Sequence, residues 1–408
     1  MKQIYLDNQS NSRLDDRVFD VMKPFFFEYY GNSQSIYSLG SISKEALDIA
    51  RHQVANLINA NNEEIIFTSC ATESNNLAIK GIADALKNKG KHIIVSAIEH
   101  LSVLNSVERL RSENFDVTYL PVDKQGKVIE VELVKLLRKD TVLVSIQHAN
   151  PEIGTIQDIR RLASIVKNSE VNDFIIFHTD AVASCGAIFV DVKSLGVDAL
   201  TFSPSVMCGP KGVAALYLRK GVAITPQIDG GIQENSKRSG TENLPAIVGF
   251  GKACEIFKEE GAKENDGIKM LRDKLIRELP KKIKYIYLNG ARDNRLSGNV
   301  NFSIEFIEGE AMFLLLDAKG IMAASGSACS NKNLKLSHVL SAMDVDVSIG
   351  QGSILFTLSR FNTEEDINYI LEEFPKIVKK LRNISPLYSY FMRTGKRKLI
   401  DFRVNLSD

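Results

Sequence analysis

Along most of the chain, short apolar runs alternate with longer stretches whose apolar positions recur at helical spacing. EEIIFTS, KHIIVSAI, FDVTYLPV, TVLVSIQHA, DFIIFHTDA and VDALTFS read as strands. Several are nearly unbroken Val, Ile, Phe and Leu, the pattern of strands covered on both faces. Between them lie segments such as NNLAIKGIADALKNKG, with helical spacing and a glycine stop. This βαβ rhythm predicts a mostly parallel sheet flanked by helices. From about Lys263 to Asp273 the chain reads as a charged helix. KYIYLNG, GNVNFSIEF and ILFTLSRF follow, interleaved with helices, and predict a smaller α+β unit. The expected division is 15–262 for a large domain, 1–14 with 263–384 for a small one, and 385–408 for a tail of mixed aromatic and basic residues.

Composition narrows the function classes. The 408 residues are 44% hydrophobic and 25% charged, with net charge +1, so a large core is available and nothing electrostatic favours nucleic acid or an anionic membrane. No apolar run approaches the ~20 residues that span a bilayer. The start, MKQIYLDNQSNSRLDD, turns polar at once and lacks an apolar signal segment, so a cytoplasmic location is expected. Five Cys stand without CxxC pairing, which argues against a zinc site or disulfide framework.

Four stretches place polar groups where strands end. SCATESNN, Ser69 to Asn76, follows a buried strand and opens a helix, a point where free amides and the helix dipole favour an anion. Simple capping by Thr72 or Ser69 is the alternative. VSAIEH ends in His100, which could stack on a flat cofactor or simply be packed or exposed. FIIFHTDA carries Asp180 at the end of an apolar strand, where a carboxylate is costly unless paired. A pyridinium N–H would keep it ionised; a cap for the following turn is the alternative. VDALTFS ends in Ser203. Open α/β sheets bind ligands at this edge.

With these stretches in view, the sequence resembles the cysteine desulfurases of iron–sulfur cluster assembly, within the class V aminotransferases. The resemblance runs from YLDN to SPLY and includes TSCATESNN, SAIEH, HANPEIGTIQD, HTDA, GPKG, KRSGTEN, EGE, SGSACS and LSRFNTEED in family order. It implies an α/β fold of PLP fold type I, aspartate aminotransferase-like, with a large mostly parallel mixed sheet and a smaller α+β domain. It also implies pyridoxal 5'-phosphate (PLP) as cofactor. Ala71 and Thr72 match the phosphate-binding turn, and His100 the ring-stacking, acid–base histidine. Asp180 matches the partner of the pyridine nitrogen, and Ser203 a phosphate ligand. Ser205, at the His of the family's Ser-x-His-Lys, joins these as a cofactor-binding candidate. Thr241 matches a phosphate ligand lent by the other subunit of a homodimer. Cys329 matches the nucleophile that takes sulfur from cysteine as a persulfide; an inert loop thiol is the alternative.

The chain departs from the family at the reacting end of the site. Val206 stands where the Schiff-base lysine belongs, and Lys211 of GPKG is a separate family position. Pro151 replaces an Asn, Ala183 a Gln, Tyr37 a His, and Leu355 the Arg that grips the substrate carboxylate; Arg360 matches another position. These losses predict little or no intrinsic desulfurase activity and PLP held non-covalently if at all. The expected role is then a homodimeric partner of an iron–sulfur scaffold or sulfur-acceptor protein. Cys329 would carry a persulfide or ligate a transient iron–sulfur cluster. The alternative is an active desulfurase with non-covalent PLP or a lysine from elsewhere. A third reading is a different reaction, on a substrate with no carboxylate near Leu355.

Overall fold

The computed structural model describes residues 2–325 and 336–397, so Cys329 lies outside the described residues. Their strands, in chain order, are β1 Ile4–Tyr5, β2 Ile65–Thr68, β3 His92–Ser96, β4 Asp116–Leu120, β5 Thr141–Ser145, β6 Ile176–Asp180, β7 Ala199–Phe202, β8 Ala214–Leu218, β9 Ile286–Leu288, β10 Asn299–Ile304, β11 Ile321–Met322 and β12 Ser353–Thr357.

Seven strands form the large sheet in the order β2-β8-β7-β6-β5-β3-β4. Only β8 runs antiparallel to its neighbours, β2 and β7. β3, β5 and β8 are buried at every position, which is why their sequences do not alternate. β2 to β7 coincide with the six expected strands. β8 was not among them: AALYL is short and Ala-rich, and its pattern alone does not separate strand from buried helix.

β4 lies on one side of β3, and β5, β6 and β7 extend from the other. The order therefore reverses at β3, and a crevice opens beyond the strand C-termini. Glu99 and His100 follow β3, Gln147 to Asn150 follow β5, Asp180 ends β6, Ser203 follows β7, and Cys70 follows β2.

The smaller antiparallel sheet, β12-β10-β9, contains the three later expected strands. Its core joins Val300, Phe302, Ile354 and Phe356 to Ile367, Ile370 and Phe374 of the helix Glu364–Ile384. The charged helix read from about Lys263 is the second half of one 39-residue helix, Leu244–Lys282. Its first half is buried through Ile247, Phe250, Ala253 and Phe257, so the pattern changes while the helix continues past position 262. Asn243 caps its start by accepting from the Ala246 amide. The tail begins as a helix, Pro386–Thr394, whose Phe391 stacks on Phe306 at 4.8 Å between centroids.

Candidate active site

A cavity of about 1040 Å³ occupies the crevice. Ala71, Thr72, His100, Asp180, Ser203 and Ser205 all line it, so the structure brings six of the sequence-derived site residues together. The helix Ala71–Leu86 starts there, preceded by Cys70 in extended conformation, and no side chain caps it. Capping by Thr72 or Ser69 therefore does not occur; Ser69 bonds Glu73 through its amide at 2.8 Å. Uncapped first-turn amides carry the positive end of the helix dipole. The Ser203 and Ser205 hydroxyls stand 2.9 Å apart in the same cavity. Amides and hydroxyls of this kind suit a phosphate group.

Asp180 is buried at the end of β6 and has two donors. The Val182 amide bonds Oδ1 at 2.9 Å, the local turn contact expected of a strand-end Asp. The Asn75 amide bonds Oδ2 at 2.7 Å, across 105 residues of sequence. Asn75 also donates to Ser102 Oγ at 2.8 Å, and Nδ1 of His100 accepts from the Ser102 amide at 3.1 Å. His100 and Asp180 are thus linked through two side chains, and a neutral His100 carries its proton on Nε2. Burial raises the Asp180 pKa above the ordinary carboxylate range, against the pull of Val182, Asn75 and His100. Asn75 Oδ1 is buried with no partner among the described residues. A cofactor with a ring N–H facing Asp180 and a phosphate at the helix end fits these groups.

A second wall was not foreseen from sequence. Glu99 is fully buried, and its Oε1 accepts from the Gln147 amide at 2.7 Å. Asn150 donates to the Ile98 carbonyl at 3.0 Å and accepts from the Glu152 amide at 2.9 Å. Ser337 donates to Glu152 Oε2 at 2.7 Å, and His338 donates from Nε2 to the Glu99 carbonyl at 2.9 Å. Burial pushes Glu99 well above the usual carboxylate range and Glu152 up to about 7, where among the described residues only Ser337 opposes it. Glu99 Oε2 and Glu152 Oε1 have no partner among the described residues.

The departures from the family expected from sequence can be placed in the structure. Val206 does not line the main cavity. It packs against an apolar cluster of Ala149, Ala183, Ala187 and Leu296, so two of the departures, Val206 and Ala183, meet in one place. Leu355 and Pro151 line the cavity directly. Arg360 is not a replacement clamp: it bonds Glu264 at 2.9 Å, Asp15 at 3.3 Å and the Met207 carbonyl at 3.2 Å. Lys211 and Thr241 are exposed and do not line the cavity within one chain. No described residue lining it is a Lys or Arg. Among the described residues there is no metal-binding group of three or more His, Cys, Asp or Glu, and no helix long and apolar enough to cross a membrane.

Comparison with known proteins matches this arrangement. Residues 4–370 fit the family model for class V aminotransferases. The chain is 50% identical to the cysteine desulfurase IscS of Dictyoglomus turgidum, over 94% of this chain and 97% of that one. It is 48% identical to the cysteine desulfurase IscS of Methanosarcina thermophila, over 96% of each. A solved NifS-like protein superposes with a TM-score of 0.87 at 38% identity, covering 93% of this chain and all of its own. The fold is the α/β PLP fold type I, and the chain belongs to the class V aminotransferases, in the cysteine desulfurase IscS family, whose cofactor is PLP.

Proposed function

We propose that this chain is a PLP-dependent cysteine desulfurase serving sulfur transfer in iron–sulfur cluster assembly, with the cofactor held non-covalently. The observation that carries the reading is one cavity that joins an uncapped helix end, Ser203, Ser205, His100 and the Asp180–Asn75 pair while no described Lys lines it. The identity to proteins named cysteine desulfurase, across nearly the whole chain, favours retained desulfuration over the mostly inactive partner expected from Val206 and Leu355.

Ala71, Thr72, Ser203 and Ser205 would hold the phosphate, and Asp180 would face the ring nitrogen. When bound, PLP supplies an electron sink for charge developing on the substrate carbon. Asn75 keeps the Asp180 carboxylate in place, and Ser102 orients His100 with its Nε2 proton free for transfer. Cys329 would receive the sulfur, and a second copy of the chain would bring its own Thr241 to the phosphate end. The recipient would be a scaffold or acceptor protein.

The test is PLP titration of the full chain, followed by borohydride reduction, peptide mapping and a sulfide assay with L-cysteine. Saturable PLP binding without a pyridoxyl-lysine is expected, with sulfide release at least about a hundredfold above free PLP, the lower edge of what one positioned proton-transfer group gives. A pyridoxyl-lysine would overturn the non-covalent assignment. Sulfide release no faster than with free PLP would favour the second reading, a low-activity partner whose Cys329 carries sulfur or ligates a cluster. That reading draws support from Leu355 and from the apolar surroundings of Val206.

A further inference from the structure

We infer that the cavity recognises its ligand by a primary ammonium group set against Glu99 and Glu152, with no dedicated grip on a carboxylate among the described residues. The inference rests on the proposed aminothiol chemistry and names which end of the substrate the protein reads. Glu99, Glu152, Asp180, Glu308 and Glu310 all line the cavity, and no described Lys or Arg does. Leu355, read in the sequence at the place of a carboxylate-gripping Arg, is buried in the lining. Arg360 is spent on Asp15 and Glu264.

Acidic lining alone would not suffice, but the buried wall carries orphaned acceptors. Glu99 Oε2, Glu152 Oε1 and Asn75 Oδ1 are all buried, all belong to cavity-lining residues, and none has a partner among the described residues. Leaving such atoms unpaired is costly, so a ligand that brings donors gains more than the bare contact. An ammonium group offers three N–H donors and a positive charge. Its bonds to carboxylate would be charge-assisted.

The wall is built to stay in place. Glu99 is tied to Gln147 and His338, and Glu152 to Ser337 and Asn150, which in turn holds the Ile98 carbonyl. Protonated, the same acids could instead donate to an anion, and the direction of proton flow separates the cases. An ammonium drives Glu152 to ionise and releases a proton on binding; a carboxylate ligand takes one up. Among the described residues the titratable neighbours are Asp180, which raises Glu99, and His338, which burial holds neutral near pH 7; Ser337 and Asn150, against Glu152, do not titrate.

The experiment is calorimetric titration of the full chain, with no free PLP in the buffer, using cysteamine, 3-mercaptopropionate and L-cysteine. It is run at pH 6 and pH 8.5 in buffers of different ionisation enthalpy. Cysteamine should bind at least about tenfold tighter than 3-mercaptopropionate, one charge-assisted bond's worth. It should release up to one proton at pH 6 and little at pH 8.5. Glu152→Gln should reduce the proton release and bring the two affinities within about threefold; Glu99→Gln should weaken cysteamine and leave the release from Glu152 in place. Equal or tighter binding of 3-mercaptopropionate, proton uptake, or no binding of any of the three at millimolar concentration overturns the inference. If cysteamine is preferred but L-cysteine yields no sulfide above free PLP, the ammonium site stands and the desulfurase reading falls. If sulfide is released without any preference, the reverse holds.

Discussion

Glu152→Gln should make the protein more stable at neutral pH and no more stable in acid. Glu152 is buried, and only the Ser337 hydroxyl opposes the cost of charging it, so its pKa lies at about 7 against an ordinary 4.5. A folded chain then keeps a proton that the unfolded chain loses between pH 4.5 and 7. The sign follows from linkage: where the folded state binds more protons, stability falls as pH rises. Each pH unit of that window is worth about 1.4 kcal/mol, so the whole window costs about 3 kcal/mol. Gln keeps an oxygen for the Ser337 bond, 2.7 Å in the native pair, and cannot ionise. Its new N–H pair needs an acceptor, which reduces the net gain at pH 8 to about 1–3 kcal/mol. The assay is urea denaturation of wild type and variant at pH 4.5, 6 and 8, followed by far-ultraviolet circular dichroism and read as the change in midpoint. The advantage should be absent at pH 4.5, appear by pH 6 and level off above 7. A difference that does not vary with pH, or a variant least stable at pH 8, would refute the account of Glu152 as a carboxyl held neutral by burial. Loss of ammonium binding in the same variant would mean that the wild type tolerates instability to keep a binding group.

Asn75→Ala removes the long-range donor to Asp180 and should cost about 2 kcal/mol at pH 8. The loss should shrink as pH falls and Asp180 becomes protonated, and PLP affinity should drop, read by urea denaturation and by absorbance titration. Val206→Lys puts an amine beside Ala149, Ala183, Ala187 and Leu296 and should cost about 1–3 kcal/mol. Borohydride and peptide mapping should find a pyridoxyl group at position 206, yet L-cysteine turnover should stay well below that of relatives because Leu355 is unchanged. Full turnover from that single change would show the Leu355 argument to be wrong. Arg360→Ala breaks the partly buried pairs with Asp15 and Glu264 and should lose about 2–4 kcal/mol of stability. PLP affinity should stay within about twofold, and a large loss of affinity would return Arg360 to the binding site.

The legible parts of this molecule are those whose cause is local. β3 and β5 show as apolar runs because both faces are covered, and Asp180 and Ser203 show because each interrupts such a run at its end. The unread parts depend on partners far along the chain. Asn75 sits inside the SCATESNN stretch, but its importance lies in Asp180, 105 residues on. Glu152 sits inside HANPEIG, and its side-chain partner among the described residues, Ser337, is 185 residues away. No periodicity reports either contact. Only the charged second part of the long helix reads as a helix in the sequence, because its apolar first part differs from it in burial, not in conformation.

The same distinction recasts the departures from the family. Read one at a time, Val206, Ala183 and Leu355 are separate losses. In space, Val206 and Ala183 share one apolar cluster, and Leu355 leaves the main cavity without a described cation. A lining without a described cation leaves the desolvation of its acids unopposed by charge. Among the described residues Ser337 is accordingly the sole opposing contact at Glu152, and at Glu99 the fully buried carboxyl is raised further by Asp180. The absence of a described Lys or Arg from the lining and the upward shift of both buried carboxyls are therefore linked electrostatically. A positive ligand is the group best able to restore the balance, and an amino acid read by its ammonium end would supply it.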